Sequence, residues 1–414
     1  MAIILVHNLE HFIFPVYPAD SPGWLNVLDQ GVFNVTFSLF AGKAYAIFAL
    51  LFGFTFYIQS SNQKKQGKDF GYRFLWRLVL LVGFATLNAA FFPAGDVLLF
   101  AVVGLVLFFA RNWSDRAVLF VSILFLLQPV EWCHYIAHWI NPAHQLPDLK
   151  VGEMYAEVAA YTKAGDFWPF VWGNITLGQK ASLLWAVNAG RFFQTAGLFL
   201  LGFYMGRKQL FLSSESNLRL WTKTLIISAV SFAPLYTLKD LIMKNDAITQ
   251  QTVGTVFDMW QKLAFTLVLV ASFVLLYQNE KFCRIVGNLR FYGRMSLTNY
   301  IAQSVMGAVI YFPFGLSLAP HCGYAVSLLV GVLTFLLQVQ CCNVNGGLAS
   351  TNKGLWNRSG TNGLGWGQAN DAFPSHLYSS CMERLQMPAT VSPVMRNRSE
   401  CSWVLSQSPV SRLW

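Results

Sequence analysis

The sequence predicts an all-α protein, a polytopic transmembrane helical bundle of about ten hydrophobic segments over residues 1–342, followed by a disordered C-terminal tail over residues 343–414. Three observations carry that reading. Of the 414 residues, 55% are hydrophobic and only 12% charged, whereas about a quarter of the residues of a soluble domain carry charge. Residues 42–58 hold no charge after Lys43, and with residues 37–41 in front they cover most of a ~30 Å hydrocarbon core at ~1.5 Å per residue. From Asn343 onward the chain is rich in Gly, Ser, Asn and Pro and has no apolar run of spanning length, the composition of loose chain.

In order, residues 2–17 form a hydrophobic segment interrupted by His7, Asn8, Glu10 and His11, and residues 18–30 read as a turn-rich connection. The helix expected over residues 31–58 sets the orientation. Lys64, Lys65 and Lys68 follow it at once, and a basic cluster against a span marks the cytoplasmic side. Residues 74–92 return outward, Pro93 to Asp96 turn, and residues 97–110 come back to Arg111 and Arg116. Residues 117–132 lead out again into a long external connection, residues 133–180, whose scattered Trp and Tyr favour the headgroup level. Residues 183–205 run inward to Arg207 and Lys208, 221–238 outward, and 260–277 inward to a basic stretch. A last hairpin over 297–316 and 324–339 leaves both chain ends on the cytoplasmic side.

The formal charge of +10 comes from Lys and Arg placed mainly in short connections. That placement is topogenic, so the expected partner is membrane lipid and not nucleic acid. The seven Cys include no Cys-x-x-Cys pair, and neither a disulfide framework nor a metal site is expected of them.

Two longer motifs add to this. Gly42-Lys43-x-Tyr45-x-Ile47-Phe48-x-Leu50-Leu51-Phe52-Gly53, with the run from Arg73 to Gly83, and Asn288-Leu289-x-x-Tyr292-Gly293-Arg294-Met295-Ser296-Leu297-Thr298-Asn299-Tyr300-x-x-Gln303-Ser304 resemble the YeiB-like bacterial membrane family, domain of unknown function 418. The resemblance covers residues 3–342. It implies a polytopic inner-membrane fold distantly similar to membrane acyltransferases that draw on an acyl-CoA, with an envelope lipid or glycan as acceptor. Against the family pattern, the chain is expected to lack an N-terminal Asp-x-x-Arg-Gly stretch, and its sequence after Cys342 matches nothing in the family ending.

The candidate chemistry lies near the external level. His7, Glu10 and His11 are the candidate catalytic group: at i and i+4 the two histidines are expected on one helical face, with a neutral imidazole as base and Glu10 orienting it. His-x-x-Glu-His is also the inverted zincin pattern, but no third ligand accompanies it. Asp96, Glu131, His134 and Arg191 are candidate substrate-binding residues, Asp96 in an external turn and Arg191 entering a span. Arg284, Arg290 and Arg294 form the basic surface that the phosphates of an acyl-CoA would need. The plain alternatives are polar interhelical contacts for the first group, wetted loop residues for the second and topogenic charge for the third. Three classes stay open: an acyl-group transferase, a secondary transporter or permease, and a membrane protein without chemistry.

Overall fold

The computed structural model describes residues 1–12, 17–18, 21–287 and 289–358, and of these the side chains of residues 290, 291 and 345–358 are outside the description. The chain begins with α1 (Ala2–Leu9), α2 (Gly23–Phe40), α3 (Lys43–Lys65) and α4 (Gly71–Ala89). α5 (Val97–Val103) and α6 (Leu105–Ala110) follow, then α7 (Asp115–Leu126) and α8 (Pro129–Ile140). The segment 133–180, expected as an external loop, is largely helical: the end of α8, α9 (Val151–Ala164), α10 (Phe167–Gly173), a π turn over Asn174–Gly178, and the start of α11 (Gln179–Asn188). α12 (Arg191–Arg207), α13 (Glu215–Ile242), α14 (Ala247–Thr249), a π turn over Gln250–Gly254, and α15 (Thr255–Leu276) complete the middle of the chain. α16 (Glu280–Gly287), α17 (Arg290–Arg294), α18 (Ser296–Tyr311) and α19 (Tyr324–Arg358) end it.

Four stretches are long and apolar enough to cross a membrane: Gly23–Lys65, Glu215–Ile242, Ala247–Leu276 and Tyr324–Val344. A fifth arises if Asp115–Leu126 and Pro129–Ile140, bent by 47°, count as one span. The ten segments read from the sequence therefore reduce to four or five that meet this standard among the described residues. The reason is local. Residues 183–205 look continuous in hydropathy, but Gly190 adopts φ 63°, ends α11, and leaves α12 with 17 residues. α18 has 16 residues. Gly42 likewise takes φ 74° and restarts the helix at Lys43, while α2 begins at Gly23, inside the stretch read as a connection. The breaks at Gly42 and Gly190 decide the site, because each puts a cation, Lys43 or Arg191, at the first position of a helix.

The loose chain expected from Asn343 is helix up to Arg358, where α19 ends, and residues 359–414 of that expectation lie outside the described residues.

α3 and α12 form the centre and run parallel. Tyr45 hydrogen-bonds Thr195 near their starts, and Gly206 lies against Tyr57 near their ends. In between, a Cβ on Gly53 would sit 1.9 Å from the Phe199 carbonyl oxygen, and one on Gly202 would sit 2.0 Å from that of Leu50. Lipid gives helices no hydrophobic reason to associate, so close backbone approach through small residues supplies the packing energy. Phe52 stacks on Phe199 at 4.6 Å beside this contact. α7 is antiparallel to α12: Ser122 Oγ donates to the Gly197 carbonyl at 2.8 Å, and Arg207 Nη1 reaches Asp115 Oδ1 at 3.2 Å. α13 and α15 pair antiparallel through Phe232 and Phe265, 5.1 Å apart. α13 buries Trp221 and Ser228 while exposing Ile226, Ile227 and Val230, the surface of a helix that faces hydrocarbon. Asp29 on α2 accepts from the Ala325 amide at 2.7 Å and so places an anion at the N-terminus of α19, where the helix dipole favours it.

Candidate functional site

The parallel run of α3 and α12 sorts their charges. Both helices begin at one end of the bundle with Lys43 and Arg191 and finish at the other with Lys64, Lys65 and Arg207. At the first end the C-terminal part of α1, the turn before α5, the late part of α13 and the early part of α15 converge on a cavity of about 1230 Å³. Much of its wall is aromatic, with Phe33, Phe37, Phe48, Phe52, Phe100 and Phe232 among the lining residues. Two polar groups interrupt that wall.

The first group is His7, Glu10, Asp96 and Arg191. Arg191 Nη1 donates to both Asp96 oxygens, at 3.3 and 3.4 Å. Its guanidinium also lies over the Tyr45 ring at 4.4 Å and the Trp185 ring at 4.6 Å, cation–π contacts that gain strength where water is scarce. Burial pushes the Asp96 carboxyl above its ordinary range, and the adjoining guanidinium pulls it part of the way back. His7 packs against Phe92 at 4.6 Å and has Tyr300 at 6.1 Å. Its Nδ1 is buried with no hydrogen-bond partner among the described residues, a deficit that a native fold seldom tolerates unless something else satisfies the atom.

The second group is Lys43, Lys239, Asp258 and Lys262. Lys239 Nζ lies 2.5 Å from Asp258 Oδ1, and Lys262, one turn after Asp258, pairs with its other oxygen. None of Lys239, Asp258 and Lys262 is among the candidates read from the sequence. The available signal was the i, i+4 spacing of Asp258 and Lys262; the arrival of Lys239 from the facing helix had none.

The structure thus brings four of the sequence-derived candidates into one wall and leaves the others elsewhere. α1 stops at Leu9, and His11 lies beyond it at φ 44°, so the helical face on which it was paired with His7 does not extend to it. His11 Nε2 instead meets Ser327 Oγ at 2.7 Å, and its ring stacks on Tyr311 at 4.7 Å. Glu131 is buried on α8 behind Gly190, where a Cβ would lie 3.5 Å from Glu131 Oε1. His134 Nδ1 faces His144 Nε2 at 3.3 Å. None of these three lines the cavity. Arg284 is exposed on α16, and Arg290 and Arg294 bound α17, with Arg294 exposed. The cavity reaches Ser296 and Leu297 at the start of α18, two residues past Arg294.

The fold and this chamber define a multi-span helical membrane protein with a large amphipathic cavity. Residues 205–344 match a protein family described as "Protein of unknown function (DUF418)". Over 359 residues the chain is 23% identical to the "Uncharacterized protein YxaH" of Bacillus subtilis (strain 168), an alignment that covers 81% of this chain and 85% of that protein. No solved structure matches.

Proposed function

We propose that this protein sits in the bacterial inner membrane with both ends in the cytoplasm and transfers an acyl group from a cytoplasmic acyl-CoA to an envelope lipid or glycan. One observation carries the reading: a single cavity joins the wall of His7, Glu10, Asp96 and Arg191 to Ser296, beside the arginines of α17. An acceptor at the first end and a donor entering from the second would meet inside the bundle.

In this scheme the free Nδ1 of His7 takes the proton of an acceptor hydroxyl, with Glu10, three residues on and facing the same space, as its orienting group. The acceptor oxygen attacks the thioester carbonyl, the carbon–sulfur bond breaks, and the CoA thiolate leaves with the proton held by His7. General-base assistance of this kind contributes ~10²–10⁴-fold. Arg191, kept in place by Asp96 and two rings, faces the space where negative charge develops on the carbonyl oxygen. Arg284, Arg290 and Arg294 would hold the donor's phosphates.

The test uses the purified protein in lipid nanodiscs, an acyl-CoA labelled in its acyl group, and extracted envelope lipids and glycans. Label should move to an acceptor, and His7→Ala should slow that transfer ~100-fold or more. Counterflow of a solute with no covalent labelling would replace this reading with a transporter.

A further inference from the structure

The second polar wall has a charge imbalance that the fold does not correct. Lys43, Lys239 and Lys262 share one carboxylate, Asp258, and both oxygens of that carboxylate are already taken by Lys239 and Lys262. Lys43 is left over. Only 5% of its surface is exposed. Its ammonium donates to the Ser38 carbonyl at 2.7 Å and lies 5.6 Å from the centroid of the Phe265 ring, and among the described residues no carboxylate comes within 4.0 Å of it. Lys262 and Lys239 lie near enough to repel it, and Asp258, already engaged by those two, offsets that repulsion only in part. A buried ammonium without a counter-ion is costly, and like charges beside it raise the cost.

The local backbone is shaped to make this arrangement. Gly42 takes φ 74°, which turns the chain so that Lys43 starts α3 at the cavity. It also leaves space for the Lys262 stem: a Cβ on Gly42 would be 2.8 Å from Lys262 Cδ. Both lysines therefore depend on the same glycine, one for its direction and one for its room. Nearby, Phe232 and Phe37 continue the aromatic wall of the cavity.

We infer that the wall of Lys43, Lys239 and Lys262 is an anion site for the phosphate of an amphiphile's headgroup, with the acyl chains of that amphiphile along the phenylalanines. Two positive charges in excess match a phosphomonoester dianion, and the adjoining apolar wall distinguishes a lipid phosphate from a soluble one. The inference rests on the reading that the cavity receives an amphiphile, and it narrows the acceptor to a phosphate-headed lipid.

Binding to the purified protein in nonionic detergent, measured with phosphatidic acid and with diacylglycerol of the same chains, tests it. The wild-type protein should prefer phosphatidic acid by at least ~10-fold, the scale of one charge-assisted contact. Lys43→Gln should remove most of that preference without changing diacylglycerol binding, and Lys43→Arg should restore it, which separates lost charge from lost fold. Millimolar inorganic phosphate should compete only weakly; displacement of the lipid by phosphate at concentrations equal to the lipid's would overturn the lipid as the source. Equal binding of the two lipids, unaffected by Lys43→Gln, would end the inference while leaving an amphiphile cavity standing. Failure of both lipids to bind would remove the inference together with the reading beneath it.

Discussion

Arg191 holds Asp96 at 3.3 Å across the gap between the start of α12 and the turn before α5. The two residues are 95 positions apart in sequence and retain 17% and 31% of their side-chain exposure, with both lining the cavity. The pair is therefore a part of the chamber wall that also ties two helices together.

Breaking one side of that pair should cost more than removing both. Arg191→Gln leaves Asp96 without its counter-charge and should destabilise the protein by ~3 kcal/mol. Arg191→Gln with Asp96→Asn should recover at least half of that loss. Thermal unfolding in detergent is the measurement, and a double variant as unstable as the sum of the singles would show that the two side chains do not act as a pair.

At the α3–α12 contact, Gly53→Ala and Gly202→Ala each force a methyl into a backbone carbonyl, at 1.9 and 2.0 Å. Each should lower stability by ~2 kcal/mol or more, the cost of overpacking a contact whose obstacle is backbone and cannot swing away. Gly83→Ala is the control, since nothing lies within 4 Å of the added carbon. If all three variants melted alike, the close approach of α3 and α12 would be wrong.

The two histidines of the first segment should separate by phenotype. His11 is locked between Ser327 and Tyr311, so His11→Ala should cost ~1–3 kcal/mol in stability. His7 presents a nitrogen with no protein partner among the described residues and keeps only ring contacts, so His7→Ala should cost less stability than His11→Ala while slowing acyl transfer ~100-fold or more. A stable His7→Ala protein with full transfer activity would remove His7 from the chemistry.

Helix direction makes a further prediction. Because α3 and α12 run parallel, Lys68 and Lys208 should label from the same side of the membrane once replaced by Cys, while a Cys at Asp246 should label from the opposite side. The excess of Lys and Arg around Lys68 and Lys208, at the end where α3 and α12 finish, predicts that their side is the cytoplasm. Protection of Lys68 and exposure of Lys208 to the same impermeant reagent would contradict the parallel packing in the membrane.

Sequence reasoning reached the all-helical, lipid-embedded character of the chain because the bilayer acts on composition alone: a long run without charge must satisfy its backbone internally, and a helix does so. It also read His7, Glu10, His11, Asp96, Glu131 and His134 as lying at one external level, from the direction of successive spans, and of these His7, Glu10 and Asp96 line the cavity while the other three do not. It overcounted spans, because hydropathy does not register a single residue such as Gly190 turning to positive φ and cutting an apolar run in two. It misplaced His11 for a related reason, as helical periodicity holds only while the helix continues and α1 ends two residues earlier.

What the sequence by itself determined is therefore the all-helical class and the lipid solvent of the long apolar helices, both properties of local runs. Tertiary structure alone decided which charges face one another. Lys239 and Asp258 are brought together by the antiparallel packing of α13 on α15, and Arg191 and Asp96 by the approach of α12 to the turn before α5. Electrostatic pairing in a dry interior is steep in distance, and distance between residues on different helices is set by which small side chains let those helices touch.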